Sequence, residues 1–306
     1  MTQVDPENTL AEPILAYANS TRNKDPYFFD PLGDIGFKRL FAAQQNTDFS
    51  ISFINHVLEG KRQVVSLEVL KNEYPGDTFL EGGVVIDMVC KDENGRFFLV
   101  EMQRKLQANF KERSLFYASR LITEQAPRGN RKQWAYALKD VYVIALLEEF
   151  TIGTDADDSW LHDIALVHTG TGKVFSERLA FTYIEFCNFS KTVEQLASGL
   201  EQWIYALKHL NHLKKVPDSF TEPELVQFCE AARYINLTKK EKDMISAKTK
   251  QRWDYYSVMK TEKDLSREEG AHENALKTAI KLKKKGASAI EIAELTELSL
   301  DEIEKL

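Results

Sequence analysis

The sequence predicts a mixed α/β core followed by a helical C-terminal region. Three observations carry this. Runs rich in β-branched and aromatic residues recur at 84–90, 97–102 and 141–147. Helical apolar stripes stand before and between them, at 34–58 and 106–125. After Lys191 the strand pattern stops and helical spacing takes over.

Taken in order, residues 1–25 are polar and irregular and read as a flexible lead-in. The core is expected over 26–190, a helical extension over 191–265 and a charged helical tail over 266–306. In the first helical stretch Phe37, Leu40 and Phe41 form one stripe; Ile51, Phe53, Ile54, Val57 and Leu58 continue the apolar content up to Gly60. Residues 64–70 alternate as a strand does. The runs 84–90 and 97–102 flank turn residues and read as a hairpin. Pro127 ends the helix of 106–125. The unbroken apolar run 141–147 marks a strand covered on both faces. Residues 164–167 and 179–186 are further strands. Helices follow near 191–213, near 221–236 and from about 238; Ser288-x-x-Glu291 and Ser299-x-x-Glu302 have capping-box spacing and predict two short helices at the end.

Composition narrows the class. Across 306 residues, 43% are hydrophobic and 11% aromatic, enough for a packed core, and the formal net charge is −7. No apolar run is long enough for a membrane span, and the N-terminus lacks the pattern of a secretory signal. Cys90, Cys187 and Cys229 lie far apart, which suits a reducing cytoplasm and excludes a disulfide scaffold or a CxxC metal knuckle. The mild acidity excludes a histone-like coat, but charge is unevenly spread. Residues 101–139 hold nine bases and three acids, net +6. Residues 239–285 carry net +6 and 286–306 net −5, so the tail helices read as an oligomerisation or partner-binding element.

Two acids stand out. Asp87 lies among apolar residues of one expected strand and Glu101 does so in the next, and a buried carboxylate is costly unless it is paired or binds a cation. The turn decides whether they share a face. A two-residue Asn94-Gly95 turn would put Asp87 opposite Met102. A three-residue Glu93-Asn94-Gly95 loop pairs Asp92 with Arg96 and puts Asp87 opposite Glu101. Such a loop usually needs a left-handed third residue, and Gly95 stands there, which favours the second register. Directly opposed Cβ atoms lie about 4.5–5.5 Å apart. Two carboxylates so close repel unless a divalent cation sits between them, and Gln103 adds an amide on the same face. Ile86, Met88, Val100 and Met102 are then expected on the opposite, packed face. Hard oxygen donors suit Mg²⁺ or Mn²⁺, and the neighbouring cationic segment suits a phosphodiester. The competing reading is a pair of edge acids solvated on an exposed face.

The order helix, strand, strand with Asp, turn, strand with Glu-x-Gln, helix resembles the PD-(D/E)xK nuclease superfamily. More narrowly, Asp34-x-x-Phe37-Lys38-x-Leu40-Phe41, Ile86-Asp87, Val100-Glu101-Met102-Gln103, Arg113-x-x-x-Tyr117 and Gln125 are similar to the recombination-promoting (Rpn-like) nuclease family, also catalogued as transposases. The resemblance implies a restriction-endonuclease-like core, with a mixed sheet flanked by helices, and metal-dependent DNA cleavage linked to recombination. Asp87, Glu101 and Gln103 would be catalytic. Asp87 and Glu101, with the Met102 carbonyl, would hold Mg²⁺ or Mn²⁺. Gln103 stands where the superfamily has Lys, a departure that removes a charge and leaves only hydrogen bonding. Asp34 is the candidate for the superfamily's first acid, with helix capping as its competing role. Arg113, Tyr117, Arg120 and Glu124 share one helix face, so Arg113, Tyr117 and Arg120, with Lys38 and Arg104, are the expected DNA contacts. Gln125 could reach the same region. Two rival readings stand beside a nuclease: a DNA-binding protein of nuclease fold that has lost catalysis, and an oligomeric scaffold built on the long charged helix.

His209 and His212 have i, i+3 spacing without a third ligand and read as surface residues. His162 and His168 read as structural, and Cys90 as a small core residue. No GxGxxG, GxxxxGK[ST] or GxSxG occurs.

Overall fold

The computed structural model describes residues 26–43, 47–71, 73–74, 84–105, 109–127, 134–153 and 159–306. The expected lead-in over 1–25 lies outside these. The described chain divides into two compact units that meet at Leu237 and Thr238.

The first unit is built on a six-stranded mixed sheet. Its strands are β1 (Leu67–Val69), β4 (Met88–Asp92), β5 (Phe97–Gln103), β6 (Val141–Leu147), β8 (Val174–Glu185) and β7 (Leu161–Val167), side by side in that order. Two short strands, β2 (Glu73–Tyr74) and β3 (Val84–Val85), pair separately. β1, β4 and β5 run antiparallel; β5, β6 and β8 are parallel, and β7 returns antiparallel on β8. The parallel step from β5 to β6 is made by helix α3 (Phe110–Glu124), because parallel neighbours need a long crossover. Helices α1 (Asp34–Leu40), α2 (Asp48–Val57), α4 (Gly199–His209) and α5 (Pro223–Ala231) complete the unit.

Most of β7 and the first half of β8 stand exposed, while both faces of the central strands are covered. On one, Val89, Leu99, Val141, Val143, Ala145, Leu147, Phe181 and Tyr183 pack with Phe110, Ala118 and Leu121 of α3. The other helices bring together a cluster of rings: Phe41 lies 5.6 Å from Phe53 and 5.3 Å from Phe228, and Trp203 lies 5.0 Å from Phe228. Ser50 of α2 reaches Met88 of β4, so this cluster covers the opposite face. Every residue of β6 is buried, as its unbroken apolar run predicts. The helices of 199–231 belong with this core: the Phe29 N–H donates to the Ala232 carbonyl at 2.9 Å, and Phe28 bridges Arg233. Gly36 sits where α1 crosses that N-terminal segment; a Cβ there would lie 2.1 Å from the Asp30 carbonyl oxygen.

The second unit begins with α6 (Lys239–Lys284), opened by a capping box between Thr238 and Glu241. α7 (Ala289–Thr296) and α8 (Leu300–Glu304) start at the two predicted capping boxes, Ser288/Glu291 and Ser299/Glu302. Ala279, Ile292, Leu298 and Ile303 form its small core. No helix of the described residues is long and apolar enough to cross a membrane.

The expected strand over 84–90 is broken. β3 ends at Val85, a bend falls at Asp87, and β4 starts at Met88. Ile86 consequently leaves the pleat's alternation and packs with Val89 and Leu99, on the face opposite to the one its parity assigns it.

Candidate functional site

The site begins with the hairpin. β4 and β5 pair Met88 with Val100, Cys90 with Phe98 and Lys91 with Phe97. The turn closes with the Asp92 N–H on the Arg96 carbonyl at 3.0 Å and the Gly95 N–H on the Asp92 carbonyl at 3.0 Å. Gly95 has φ +77°, the left-handed conformation that a three-residue loop requires of its last position. This is the register that sets Asp87 opposite Glu101, one step past the last ladder pair.

At that end the backbone and the two acids interlock. The Met102 N–H donates to Asp87 Oδ2 at 2.8 Å, and the Asp87 N–H donates to Glu101 Oε2 at 3.3 Å. Glu101 is only 4% exposed and Gln103 only 8%. Burial, with the charge of Asp87 beside it, pushes the Glu101 carboxyl up to about 7, even though Arg113 opposes the shift. Asp87 is raised in the same direction by burial. Its hydrogen bond from Met102 works against this, Asp34 adds to it, and Lys38 and Arg113 reduce it. Asp34 and Lys38 of α1 therefore act on Asp87, and they pair with each other at 3.0 Å.

From α3, Arg113 reaches over the end of β5. Its Nη2 donates to Glu101 Oε1, its Nε to the Tyr117 hydroxyl at 2.7 Å, and its Nη1 approaches Gln103 Oε1 at 3.5 Å. Its guanidinium lies 5.0 Å from the centre of the Tyr117 ring. Gln103 Nε2 donates to the Lys105 carbonyl at 3.2 Å. The arrangement thus gathers two crowded carboxylates, a buried carboxamide, a guanidinium and a phenol at one end of the sheet. Its donors are hard oxygens of the kind that suit a divalent cation, and burial, the first cause of both raised carboxyls, disfavours either one as a bare charge. No group of three or more His, Cys, Asp or Glu among the described residues is arranged to hold a metal, so a cation here would draw on backbone oxygen or water as well.

Four of the expected residues are placed as follows. Asp34 is not the helix cap: Gly33 is the N-cap residue and Asp34 lies in the first turn. Arg104, expected on DNA, is engaged with two acids. It pairs with Asp30 at 2.6 Å and clasps Glu148 with Nε and Nη2, the latter at 2.9 Å. Burial works against its charge, but Asp30 and Glu148 outweigh this and hold its pKa above the ordinary arginine value. Gln125 does not reach the acids: its carboxamide accepts from the Lys139 N–H at 2.7 Å and donates to the Lys139 carbonyl at 3.2 Å, next to the start of β6. His209 is no open surface residue; its ring lies tilted against Tyr205 at 4.6 Å, and burial pushes it down to about 4. Arg120 lies further along α3 than Arg113 and Tyr117 and is half-buried.

Sequence reasoning missed Asp30 and Glu148. The signal for Glu148 is the parallel pairing of Gln103 with Leu147, which sets Arg104 beside Glu148, and that register cannot be read from spacing alone.

A family model described as a PD-(D/E)XK nuclease family transposase matches residues 31–262. No curated protein and no solved structure matches the chain.

Proposed function

The chain belongs to the PD-(D/E)XK nuclease family of transposases, and from that premise we propose that it is a Mg²⁺- or Mn²⁺-dependent DNA endonuclease, acting on duplex or recombining DNA. One observation carries the reading: the hairpin register that puts Asp87 opposite Glu101, both raised in pKa, at a sheet end faced by Arg113 and Lys38.

In this reading Asp87 and Glu101 hold the cation, with the Met102 carbonyl as a further donor. A bound divalent cation lowers the pKa of a water and offsets charge building on phosphorus. The protein's own groups do the rest. Gln103, buried and fixed through Lys105, orients the water by hydrogen bonding, with no charge of its own. Lys38 and Arg113 face the phosphate and help keep Asp87 ionised, since each lowers its pKa. Tyr117 holds the Arg113 fork in place. The water gives up a proton to solvent as its oxygen forms a bond to phosphorus, the bond to the leaving sugar oxygen breaks, and that oxygen takes up a proton from solvent.

The test is nicking of supercoiled plasmid with Mg²⁺, Mn²⁺ or EDTA, using the wild type and Asp87→Ala. Cleavage is expected in either metal and is lost in EDTA and in the variant. Cleavage that survives Asp87→Ala overturns the assignment. Gln103 in place of Lys favours one second reading, a DNA-binding protein without catalysis. It requires salt-dependent DNA binding and no nicking in any metal.

A further inference from the structure

The Glu101 carboxylate already has a counter-ion. Its Oε1 accepts from Arg113 Nη2 and its Oε2 from the Asp87 N–H at 3.3 Å, so both oxygens of this buried side chain are engaged. Arg113, by contrast, has other anchors. Its Nε is bound to the Tyr117 hydroxyl at 2.7 Å, its guanidinium carbon lies 5.0 Å from the centre of the Tyr117 ring, and its Nη1 approaches Gln103 at 3.5 Å. Those contacts are to neutral groups, and the bond to Glu101 joins opposite charges.

We infer that the Arg113 guanidinium is a displaceable counter-ion, seated on Glu101 until a divalent cation takes that carboxylate and then presented to the phosphate of a bound strand. The inference rests on reading Asp87 and Glu101 as cation ligands. Its physical basis is competition for one acceptor. A guanidinium on Oε1 and a divalent cation on the same carboxylate crowd two positive charges onto one buried side chain, where their repulsion is poorly screened. Tyr117 and Gln103 keep the guanidinium nearby when the bond opens, so the released charge stays beside the acids. Coupling of this kind is reciprocal: whatever the cation gains by removing Arg113, a phosphate gains when the cation binds first.

The sign of one effect separates this role from simple bracing. If Arg113 only positions Glu101, removing it loosens the cation site. If it competes, removing it tightens the site. The measurement is calorimetric titration with Ca²⁺, in the absence of DNA, on wild type, Arg113→Met and Asp87→Asn, with folding checked by circular dichroism. Ca²⁺ is expected to bind Arg113→Met more tightly by on the order of tenfold, and Asp87→Asn to lose binding. Binding to Arg113→Met but not to wild type also supports the inference. Arg113→Gln, which keeps hydrogen bonding without charge, is expected to shift in the same direction and stands in if the methionine variant does not fold. As a second readout, Ca²⁺ should strengthen wild-type affinity for a short duplex more than that of Arg113→Met. The salt slope of the variant should be lower by about one. Unchanged or weaker Ca²⁺ binding in both Arg113 variants overturns the inference and leaves the cation site intact. No Ca²⁺ binding in any form overturns it together with the reading of the acids.

Discussion

The Asp87 backbone N–H donates to Glu101 Oε2 while the Met102 N–H donates to Asp87 Oδ2, so the Glu101 carboxylate is held by the backbone of Asp87 and the Asp87 carboxylate by the backbone one residue past Glu101. The bend at Asp87 makes this possible. A continuous strand would commit that N–H to the ladder or to the neighbouring edge, whereas the break turns it toward the Glu101 carboxylate.

This proximity predicts how stability depends on pH. Glu101 is raised from 4.5 to about 7, chiefly by burial and then by Asp87. Between those values the folded protein holds a proton that the unfolded chain has lost. The Glu101 contribution to stability is therefore fully present below about pH 4.5 and is lost as pH rises toward 7. The loss is on the order of 3 kcal/mol for the cation-free protein. Urea denaturation in EDTA at pH 5 and pH 8 should show wild type weakening relative to Glu101→Gln by a large part of this amount. Parallel pH profiles for the two proteins contradict it.

Gln103 yields a kinetic prediction. Its carboxamide is buried and fixed by Lys105, so removing it disturbs orientation at the acids more than binding of a long duplex. Gln103→Ala is expected to lower kcat by about 100-fold with little change in KM. Gln103→Lys, which restores the superfamily residue, is expected to keep kcat within about tenfold of wild type. A KM effect as large as the kcat effect would place Gln103 in DNA binding instead.

The hairpin was legible in the sequence because Gly95 and the loop length fix register locally. The buried strand at 141–147 and the terminal capping boxes were legible for the same reason, since each signal lies within a few neighbouring residues. The ion pairs were not. Arg113 meeting Glu101 depends on how α3 crosses the sheet, and Arg104 meeting Asp30 joins positions 74 apart. A basic side chain near acids reads equally well as a phosphate ligand or as an internal partner until tertiary packing decides. Helical spacing placed Gln125 and Arg113 on one helix but could not show that the ends of that helix serve opposite ends of the sheet, with Gln125 at Lys139.

Gly36 is predicted to be intolerant of a side chain. A Cβ would stand 2.1 Å from the Asp30 carbonyl oxygen and 3.2 Å from the Phe29 ring, and both belong to the segment that α1 must cross. Backbone cannot move aside without breaking the Phe29 bond to Ala232. Although alanine is the better helix former, Gly36→Ala is expected to destabilise by about 3 kcal/mol or more. Thermal melting checks this, and a variant as stable as wild type would show that the segment can shift.

Arg104 separates internal pairing from DNA contact. Its guanidinium ties Asp30, ahead of α1, to Glu148, just beyond β6, and so joins the helix carrying Lys38 to the sheet end carrying Gln103. Arg104→Met leaves two partly buried acids without their partner and is expected to cost about 3 kcal/mol. Arg104→Lys keeps the charge but cannot bridge both acids with a planar fork, so it should recover only part of that loss. If the role is internal, the salt slope of DNA binding by Arg104→Met, measured by fluorescence anisotropy below its melting temperature, stays at the wild-type value while Tm falls. A slope lower by about one with an unchanged Tm would instead put Arg104 on a phosphate.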